Sequence, residues 1–362
     1  MKIVTVLGAR PQFIKAAPVS KALAEAGLDE ILVHTGQHYD ANMSSVFFDE
    51  LGMRPPAYTL ETGGGSRMSQ VSRGLAQLEE ILIKEKPDRV LVYGDTNATF
   101  SGAFAAVAHN IPLAHVEAGL RSFNRRMPEE TNRILTDHVA QWCFTPTPEA
   151  TQQLAKEGIT GHWVGDVMLD ALLQFSPTAQ EHASWVALKN QHGLEKNSYV
   201  LLTMHRAEST DKPDVLRDLF KTLNNSGHRV LFPVHPRTKP LWKAIVEETP
   251  LANIIPVEPL GYLAMLAAES NASAIVTDSG GVQKEAAMLG VPCLTLRTET
   301  EWVETVAWGV NQVIGLDAEK LSSALAALQT NAPVAVSLQT IHQYYGSGHA
   351  SQRIVALLQG ND

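Results

Sequence analysis

Short apolar runs recur along the whole chain, and each is followed by a longer stretch with helical periodicity. Because these runs do not alternate strictly with polar residues, they indicate strands that are buried on both faces. The strand–helix order is typical of parallel sheets joined by right-handed crossovers, so the sequence predicts an α/β fold. The predicted strands form two groups of six: Lys2–Leu7, Ile31–Thr35, Arg89–Tyr93, Pro112–Glu117, Trp142–Pro146 and Gly161–Val164, then Tyr199–Met204, Arg229–Val234, Asn253–Pro256, Ala274–Thr277, Cys293–Leu296 and Gln312–Ile314.

A break between the two groups indicates two Rossmann-like domains rather than one barrel. A (β/α)₈ barrel would need about eight strands in an unbroken ring, whereas the stretch Asp166–Lys196 has helical patterns and no good strand. A length of 362 residues also favours two domains. We expect an N-terminal domain over 1–168, a C-terminal domain over 169–346 and an active site in the cleft between them. A last helix, over 347–362, is expected to pack back on the first domain.

Composition excludes several classes of protein. With Lys+Arg 29 and Asp+Glu 38 the net charge is −9, which argues against general binding to nucleic acid or to an anionic membrane. The two cysteines, Cys143 and Cys293, lie far apart and form neither a disulfide framework nor a zinc-binding Cys-x-x-Cys pattern. The apolar run that starts at Lys2 is too short for a signal peptide, and no run approaches the ~20 residues of a membrane span. We therefore expect a cytoplasmic protein.

Charged side chains follow several strands of the first half. Arg10 comes after the first strand, with Lys15 one turn into the next helix. Asp95 follows the third strand, Glu117 ends the fourth, and Glu129 opens the helix after it. Ligands bind at the carboxyl ends of parallel strands, so we expect these groups on one rim of the first sheet. The carboxylates could perform acid–base chemistry or bind a metal, although no His lies at metal-ligand spacing within these motifs. Asp95 and Glu129 could instead be ordinary helix-start residues.

Two His–Arg pairs end strands of the second half. His205 and Arg206 follow its first strand, and His235 and Arg237 follow its second. A single His at such a position is more often structural than functional. A His beside an Arg, however, supplies two donors that suit a diphosphate, so we expect these pairs to bind phosphate.

The strongest local pattern follows the fourth strand of the second half. Ser279, Gly280 and Gly281 open a predicted helix there, and Glu285 lies one turn further on. Small residues at a helix N-terminus let backbone N–H groups and the helix dipole meet a phosphate. Glu285 could accept hydrogen bonds from ribose hydroxyls. The competing interpretation is a Ser that caps the helix and a Glu that faces solvent.

Seven of these segments resemble the non-hydrolysing UDP-N-acetylglucosamine 2-epimerases, and they occur in the family's order over nearly the whole chain. The segments are GARPQFIK (8–15), GDT (94–96), HVEAGLR (115–121), PEETNR (128–133), HRAE (205–208), PVHP (233–236) and DSGGVQKE (278–285). The resemblance implies the two-domain glycosyltransferase-B-like fold, a homodimer, a UDP-sugar substrate, no metal and no redox cofactor.

The resemblance also implies a reaction and roles for the site residues. A carboxylate takes the proton from C2 of the sugar, UDP leaves from C1 to give a 2-acetamidoglucal, and UDP adds back while C2 is reprotonated on the opposite face. The implied acid–base residues are Asp95, Glu117 and Glu129, and His205 is implied at the leaving group. Arg10 and Lys15 would hold phosphate and sugar. Ser279, Gly280 and Gly281 would hold the diphosphate, and Glu285 the ribose, while Arg206 and His235 complete the expected substrate-binding set.

Several positions depart from the best-known members of that family. Tyr39 and Asp40 stand where many bacterial members have Arg followed by Met-Leu-Asp, in a stretch that contributes to an allosteric substrate site in those members. Segment 301–304 replaces the common Glu-Arg-Pro-Glu. Such features are similar to those of the branch that acts on UDP-2,3-diacetamido-glucuronate. We expect the C3 and C6 groups of the sugar to be recognised by Arg125, Arg126 and Trp302.

The expected function is the conversion of UDP-GlcNAc to UDP-ManNAc for surface polysaccharide precursors, with the same chemistry on UDP-2,3-diacetamido-glucuronate as the alternative. A glycosyltransferase of the same fold would share the phosphate loop but would not need three carboxylates on the N-terminal rim. A hydrolysing epimerase would release UDP. A catalytically silent nucleotide-sugar sensor would have no use for the intact acid–base set.

Overall fold

The computed structural model describes residues 1–36, 48–328 and 336–360, so Tyr39 and Asp40 lie outside the described residues. The chain divides into two compact units: Met1–Gln174 with His342–Asp362, and Phe175–Ile341. The division after Gln174 falls inside one helix, Val167–Glu181, which starts in the first unit and ends in the second. The sequence predicts a domain boundary after residue 168, near the start of this helix, because the strand pattern of the first half stops there.

The first unit contains a seven-stranded parallel sheet in the order β3-β2-β1-β4-β5-β6-β7. Its strands are β1 (Lys2–Leu7), β2 (Asp29–His34), β3 (Tyr58–Thr59), β4 (Arg89–Tyr93), β5 (Leu113–Val116), β6 (Trp142–Thr145) and β7 (Gly161–Trp163). The prediction of six strands in this half was wrong by one. The additional strand, β3, is an edge strand of two residues, which is too short to produce a recognisable pattern.

Helices connect these strands. They are α1 (Arg10–Glu25), α2 (Arg67–Glu85), α3 (Asn97–Ala108), α4 (Pro128–Val139), α5 (Pro148–Lys156) and α6 (Val167–Glu181). Side-chain caps start three of them, because Ser66, Thr96 and Thr147 each accept a backbone N–H from the first turn of α2, α3 and α5.

The second unit contains a six-stranded parallel sheet in the order β10-β9-β8-β11-β12-β13. Its strands are β8 (Tyr199–Thr203), β9 (Arg229–Pro233), β10 (Ile254–Val257), β11 (Ala274–Thr277), β12 (Cys293–Thr295) and β13 (Asn311–Val313). Its helices are α7 (Ala183–His192), α8 (Ala207–Thr210), α9 (Pro213–Asn225), α10 (Lys239–Glu248), α11 (Tyr262–Asn271), α12 (Gly280–Leu289), α13 (Val303–Ala307) and α14 (Ala318–Leu328).

Two final helices, α15 (Leu338–Tyr344) and α16 (Ala350–Gln359), bring the chain back to the first unit, where α16 packs on α1. Asp170 fixes the start of α16. Its carboxylate accepts the backbone N–H of Ala350 at 3.1 Å, that of Ser351 at 2.7 Å, and the Ser351 hydroxyl at 2.6 Å. These bonds satisfy the N–H groups that a helix start leaves unpaired.

Both sheets are covered on both faces. Ile3 and Val4 of β1 are adjacent and therefore point to opposite faces, yet each is fully buried, and the same holds for Leu201 and Leu202 of β8. The predicted α/β class with two Rossmann-like parallel sheets is therefore confirmed. Within the described residues, none of the helices combines the length and the apolar character needed to cross a bilayer.

Candidate active site

Both sheets have the strand order of a Rossmann fold, which reverses direction beside the first strand of each. This position, called the switch point below, lies between β1 and β4 in the first unit and between β8 and β11 in the second. In open parallel sheets, ligands bind outside the carboxyl ends of the strands at this position. Arg10 and Asp95 follow the two strands of the first switch point, and His205 and Asp278 follow those of the second. The sequence motifs are therefore concentrated where the topology favours a site.

Lys15 and Glu117 form an ion pair at the first switch point. The ammonium of Lys15, on α1, lies against Oε2 of Glu117, and the Glu117 side chain is only 7% exposed. Glu117 has a φ of 70°, in the left-handed region that a non-glycine residue rarely adopts. Such a conformation costs about 1–3 kcal/mol and is typical of functional sites. The strained backbone thus aims a carboxylate over the rim of the sheet.

Asp95 lies beside this pair. Its carboxylate binds the guanidinium of Arg133, and its backbone carbonyl accepts the side-chain amide of Asn132 at 2.8 Å. Burial raises the pKa of the Asp95 carboxyl, Arg133 opposes this shift, and the Glu117 carboxylate raises the pKa further. The net pKa lies above its ordinary value. Two neighbouring carboxyl groups with different surroundings are suited to different roles in acid–base chemistry.

Glu129 occupies a different position from the other two carboxylates. It lies in the first turn of α4, its side chain is exposed, and the charged contacts of Asp95 and Glu117 given above do not include it. Its neighbour Glu130 is buried and accepts the backbone N–H groups of Ser122 and Phe123 at 2.8 and 2.9 Å. The expected convergence of three carboxylates is thus seen for Asp95 and Glu117, while Glu130 ties the preceding loop to the helix.

Gln12 is a structural anchor that the sequence analysis missed. Its side-chain oxygen accepts the backbone N–H of Gly8 at 2.8 Å, and its amide donates to the carbonyl of Tyr93 at 2.6 Å. Gln12 thereby joins the turn after β1 to the end of β4, and so fixes the segments that carry the exposed Arg10 and the half-buried Asp95. The sequence signal for this role is a Gln at the third position of the helix. In a capping box, a side chain at that position bonds back to the backbone of the residue that precedes the helix.

Asp278 organises the second switch point. It is fully buried, and its carboxylate accepts the backbone N–H of His205 at 3.0 and 3.1 Å and that of Arg206 at 2.9 Å. Nδ1 of His205 lies 3.3 Å from the same carboxylate. The residue after β11 therefore fixes the turn after β8, and it orients the first His–Arg pair.

The two histidines of the His–Arg motifs come together. The rings of His205 and His235 lie 5.3 Å apart. The backbone N–H of Arg237 donates to Nδ1 of His235 at 3.2 Å, which makes that nitrogen an acceptor and leaves Nε2 to carry the proton. Burial lowers the pKa of His235, and His205 and Arg237 lower it further, while Asp278 opposes them. A neutral His235 beside His205 can donate a hydrogen bond to an oxyanion.

Helix α12 presents the expected small-residue start. Ser279 precedes the helix and its backbone N–H donates to Oγ1 of Thr277 at 2.9 Å. A Cβ on Gly281 would meet only the Ser279 hydroxyl, at 4.0 Å, so the backbone here is open to a close ligand. The indole N–H of Trp302 donates to the carbonyl of Gly280 at 2.8 Å and steadies the turn. The arrangement suits an anion at the helix N-terminus.

Glu285 is buried on α12 near two other polar groups. Burial raises the pKa of Tyr262 well above its ordinary value, and Glu285 and Glu269 add to the shift. Glu269 is 1% exposed, and neither of its carboxyl oxygens has a hydrogen-bond partner among the described residues. Burial therefore raises the pKa of Glu269 well above its ordinary value, and the Glu285 carboxylate contributes as well.

Across the described ranges, no group of three or more His, Cys, Asp or Glu side chains is arranged to hold a metal ion. The first unit presents carboxylates and cations at its switch point, and the second presents two histidines, an arginine and the start of α12.

Known proteins resemble this chain over nearly its full length. A family model described as UDP-N-acetylglucosamine 2-epimerase matches residues 21–359. A UDP-N-acetylglucosamine 2-epimerase homolog of Methanococcus maripaludis is 46% identical over 364 residues, 99% of each chain. The UDP-2,3-diacetamido-2,3-dideoxy-D-glucuronate 2-epimerase of Pseudomonas aeruginosa is also 46% identical, over 369 residues and 99% of each chain.

A solved structure matches equally fully. The UDP-GlcNAc 2-epimerase of Methanocaldococcus jannaschii, in complex with UDP-GlcNAc and UDP, has a TM-score of 0.88 and 40% identity over 99% of this chain and 100% of that chain. The family resemblance of the seven segments is thus confirmed, and so is the glycosyltransferase-B-like fold class that it implied. The chain belongs to the UDP-N-acetylglucosamine 2-epimerase family, a family of isomerases.

Proposed function

We propose that this enzyme epimerises C2 of a UDP-N-acetylhexosamine, converting UDP-GlcNAc to UDP-ManNAc without hydrolysis. The single observation that carries the proposal is the placement of Asp95 and the Lys15-paired Glu117 together at the first switch point. We further propose that the enzyme works in the cytoplasm as a homodimer and supplies surface polysaccharide precursors. Family membership and the UDP-GlcNAc complex of the M. jannaschii relative support the choice of substrate.

The proposed elimination breaks two bonds and forms two, and the re-addition of UDP reverses it at the opposite face of C2. Glu117, held as a carboxylate by Lys15, takes the C2 proton while the C1–O bond to UDP breaks and a C1=C2 double bond forms. Asp95, whose pKa is raised, gives a proton to C2 from the opposite face as UDP bonds again to C1. Before the next cycle Glu117 releases its proton to solvent and Asp95 takes one up. Glu129 completes the acid–base set from the start of α4. The 2-acetamidoglucal between the two steps needs no oxidant.

We assign UDP to the residues of the second switch point and of α12. His205 supports the departing phosphate, Arg206 and His235 add donors, and the α12 start at Ser279, Gly280 and Gly281 receives the diphosphate. Glu285 accepts the ribose hydroxyls. From the first unit, Arg10 and Lys15 are assigned to phosphate and sugar. Positive charge and N–H donors at the departing group offset the weak acidity of the C2 proton.

A second candidate substrate is UDP-2,3-diacetamido-2,3-dideoxy-glucuronate. One observation favours it: the P. aeruginosa enzyme named for that substrate is as similar to this chain as the M. maripaludis homolog, at 46% identity. Arg125 and Arg126 lie exposed in the loop before α4, and a guanidinium can bind both oxygens of a uronate. Trp302, the third residue expected to recognise the sugar, contacts Gly280 instead and would act through the α12 start.

The test is proton NMR of each UDP-sugar with the enzyme in deuterium oxide. We expect conversion without any acceptor, with deuterium at C2 of the product and no accumulation of UDP. Full conversion with protium retained at C2 would contradict the proton-transfer mechanism, and release of UDP with the free sugar would indicate hydrolysis. The ratio of kcat/KM for the two sugars decides between the candidate substrates.

A further inference from the structure

A chain of four ionisable side chains, three of them buried, is bonded to the turns that carry Asp95 and Glu117. Arg121 donates to Glu157 at 2.9 and 2.7 Å and to Oδ2 of Asp137 at 2.6 Å. Oδ1 of Asp137 lies 2.7 Å from Nδ1 of His115. His115 is fully buried, Asp137 is 1% exposed and the Arg121 side chain is 2% exposed. None of these four residues is among those to which the family resemblance assigns a role.

The ring of His115 is held between two acceptors. Nδ1 faces the Asp137 carboxylate, and Nε2 lies 2.7 Å from the backbone carbonyl of Gly94. A carbonyl oxygen only accepts, so Nε2 donates to Gly94, while Nδ1 faces the Asp137 carboxylate that also accepts from Arg121.

The ends of this chain hold the two turns that carry the acid–base residues. His115 binds the carbonyl of Gly94, the residue before Asp95, and Asp137 accepts the backbone N–H of Gly119 at 3.1 Å, two residues after Glu117. Gly94 and Gly119 have positive φ values of 60° and 83°, and Glu117 also has a positive φ. Glu117, as a non-glycine residue, is strained there, and such a conformation persists only where its surroundings fix it.

We propose that His115 and Asp137 are positioning residues for the acid–base pair: one histidine–carboxylate link sets the spacing of the turns at 94–95 and 117–119. This inference rests on the proposed function, since the pair it positions is the pair assigned to proton transfer. His115 and Asp137 touch no substrate in this scheme. They act through the backbone that presents Asp95 and Glu117.

Two substitutions test the two hydrogen bonds of His115 separately. In His115→Gln the side-chain amide reaches as far as Nε2 and can still donate to Gly94, whereas in His115→Asn the shorter amide can donate only toward Asp137. We expect kcat for epimerisation to fall about tenfold more in His115→Asn than in His115→Gln, with KM changed less than twofold. UDP affinity should stay within twofold in both, because the assigned UDP residues of the second unit are untouched.

The control is His162→Asn, a histidine of the same sheet, on β7, that packs against Phe144. Its kcat should equal that of the wild type. The inference is overturned if His115→Asn keeps wild-type kcat, or if both His115 variants lose kcat equally. It is also overturned if any loss of kcat in His115→Asn is accompanied by an equal loss of UDP affinity.

Hydrogen–deuterium exchange provides a readout that does not depend on the reaction. His115→Asn should raise exchange in peptides over 93–97 and 116–120 and leave peptides over 277–285 unchanged, while His115→Gln should protect the 93–97 peptide more than His115→Asn does. Unchanged exchange at both turns would overturn the inference even if activity fell. Wild-type enzyme that converts no UDP-sugar would instead contradict the proposed function, and the exchange data would still decide whether His115 fixes the turns.

Discussion

The ammonium of Lys15 contacts the carboxylate of Glu117 across the end of β4, the strand that lies between β1 and β5 in the sheet. Lys15 belongs to the helix after β1, and Glu117 follows β5, so their ion pair passes over the strand that leads to Asp95. The charges of both partners act on Asp95, in opposite directions. The ion pair therefore sets both the position of one carboxylate and the electrostatic environment of the other.

Glu117→Gln should fold normally and bind UDP, yet lose about 10²–10⁴-fold in epimerisation, the usual contribution of general acid–base catalysis. The amide keeps the size of the side chain and one acceptor for Lys15, but it cannot accept or return a proton. Turnover by NMR and thermal melting with and without UDP would measure the effect. Glu80→Gln, an exposed change on α2, is the control. A less stable variant with near-normal turnover per folded molecule would show that Glu117 is structural.

Gly119→Ala should destabilise the protein much more than Gly158→Ala. Both glycines have positive φ, 83° and 76°, so both changes carry a similar backbone penalty of about 1–2 kcal/mol. A Cβ at Gly119 would lie 2.4 Å from the carbonyl oxygen of Ala150, whereas a Cβ at Gly158 would meet nothing within 4 Å. We expect a further loss of about 1–3 kcal/mol at Gly119 from overpacking. Urea unfolding of the two variants measures the difference, and equal midpoints would contradict the packing argument.

Glu269→Gln should become more stable relative to the wild type as pH rises. Burial raises the pKa of Glu269 well above its ordinary 4.5, so the folded protein keeps a proton that the unfolded chain releases. The stability that this bound proton contributes is fully present below pH 4.5 and is lost as pH rises toward the folded pKa, by at most about 1.4 kcal/mol per pH unit. Gln has no such dependence.

The measurement for Glu269 is the free energy of unfolding of both proteins from pH 4 to pH 9. The difference between them should be constant below pH 4.5 and then grow in favour of the variant. Glu319→Gln, an exposed change on α14, is the matched control. A flat difference for Glu269→Gln over the whole range would mean that Glu269 is ionised in the folded protein.

Epimerisation should be independent of metal ions. The diphosphate is assigned to the α12 N-terminus and to His and Arg donors, which supply positive charge without a metal ion. Initial rates should be the same with EDTA present and after addition of Mg²⁺ or Mn²⁺. Loss of activity in EDTA that a divalent ion restores would contradict the assignment.

Arg125→Ala or Arg126→Ala should raise KM for the diacetamido-uronate about tenfold more than KM for UDP-GlcNAc, if the uronate is the substrate. A hydrogen bond to a charged group contributes about 1.5–3 kcal/mol, and only the uronate offers a carboxylate. Steady-state kinetics on both sugars gives the ratio, with exposed Arg54→Ala as the control. Equal changes on both sugars would remove these arginines from sugar recognition.

The strands could be predicted from sequence because burial on both faces produces runs that are apolar without alternation, as in Ile3 and Val4 of β1. The same reasoning failed for β3, whose two residues at the sheet edge bury too little to leave a pattern. The rim residues could be predicted as a set, since the carboxyl ends of parallel strands meet at one edge.

The contacts within the set were less predictable. The Lys15–Glu117 pair depends on a positive φ at a Glu, which propensity disfavours, and the exposure of Glu129 depends on which of two adjacent glutamates faces the loop at Ser122. Asp278 and His115 form their key bonds with residues that are distant in sequence, through geometry that only the folded sheets create. Such pairings have no local signature.

The indole N–H of Trp302 donates to the peptide carbonyl of Gly280, and the ammonium of Lys284 lies 4.3 Å from the centre of the Trp302 ring. The emission of an indole follows the electric field around it, and an anion arriving at the start of α12 alters that field. With the diphosphate at the α12 start, as proposed, the emission of Trp302 would therefore report whether that site is occupied. Subtracting the emission of Trp302→Phe from that of the wild type would isolate this one chromophore, so that nucleotide occupancy could be followed in real time without a label.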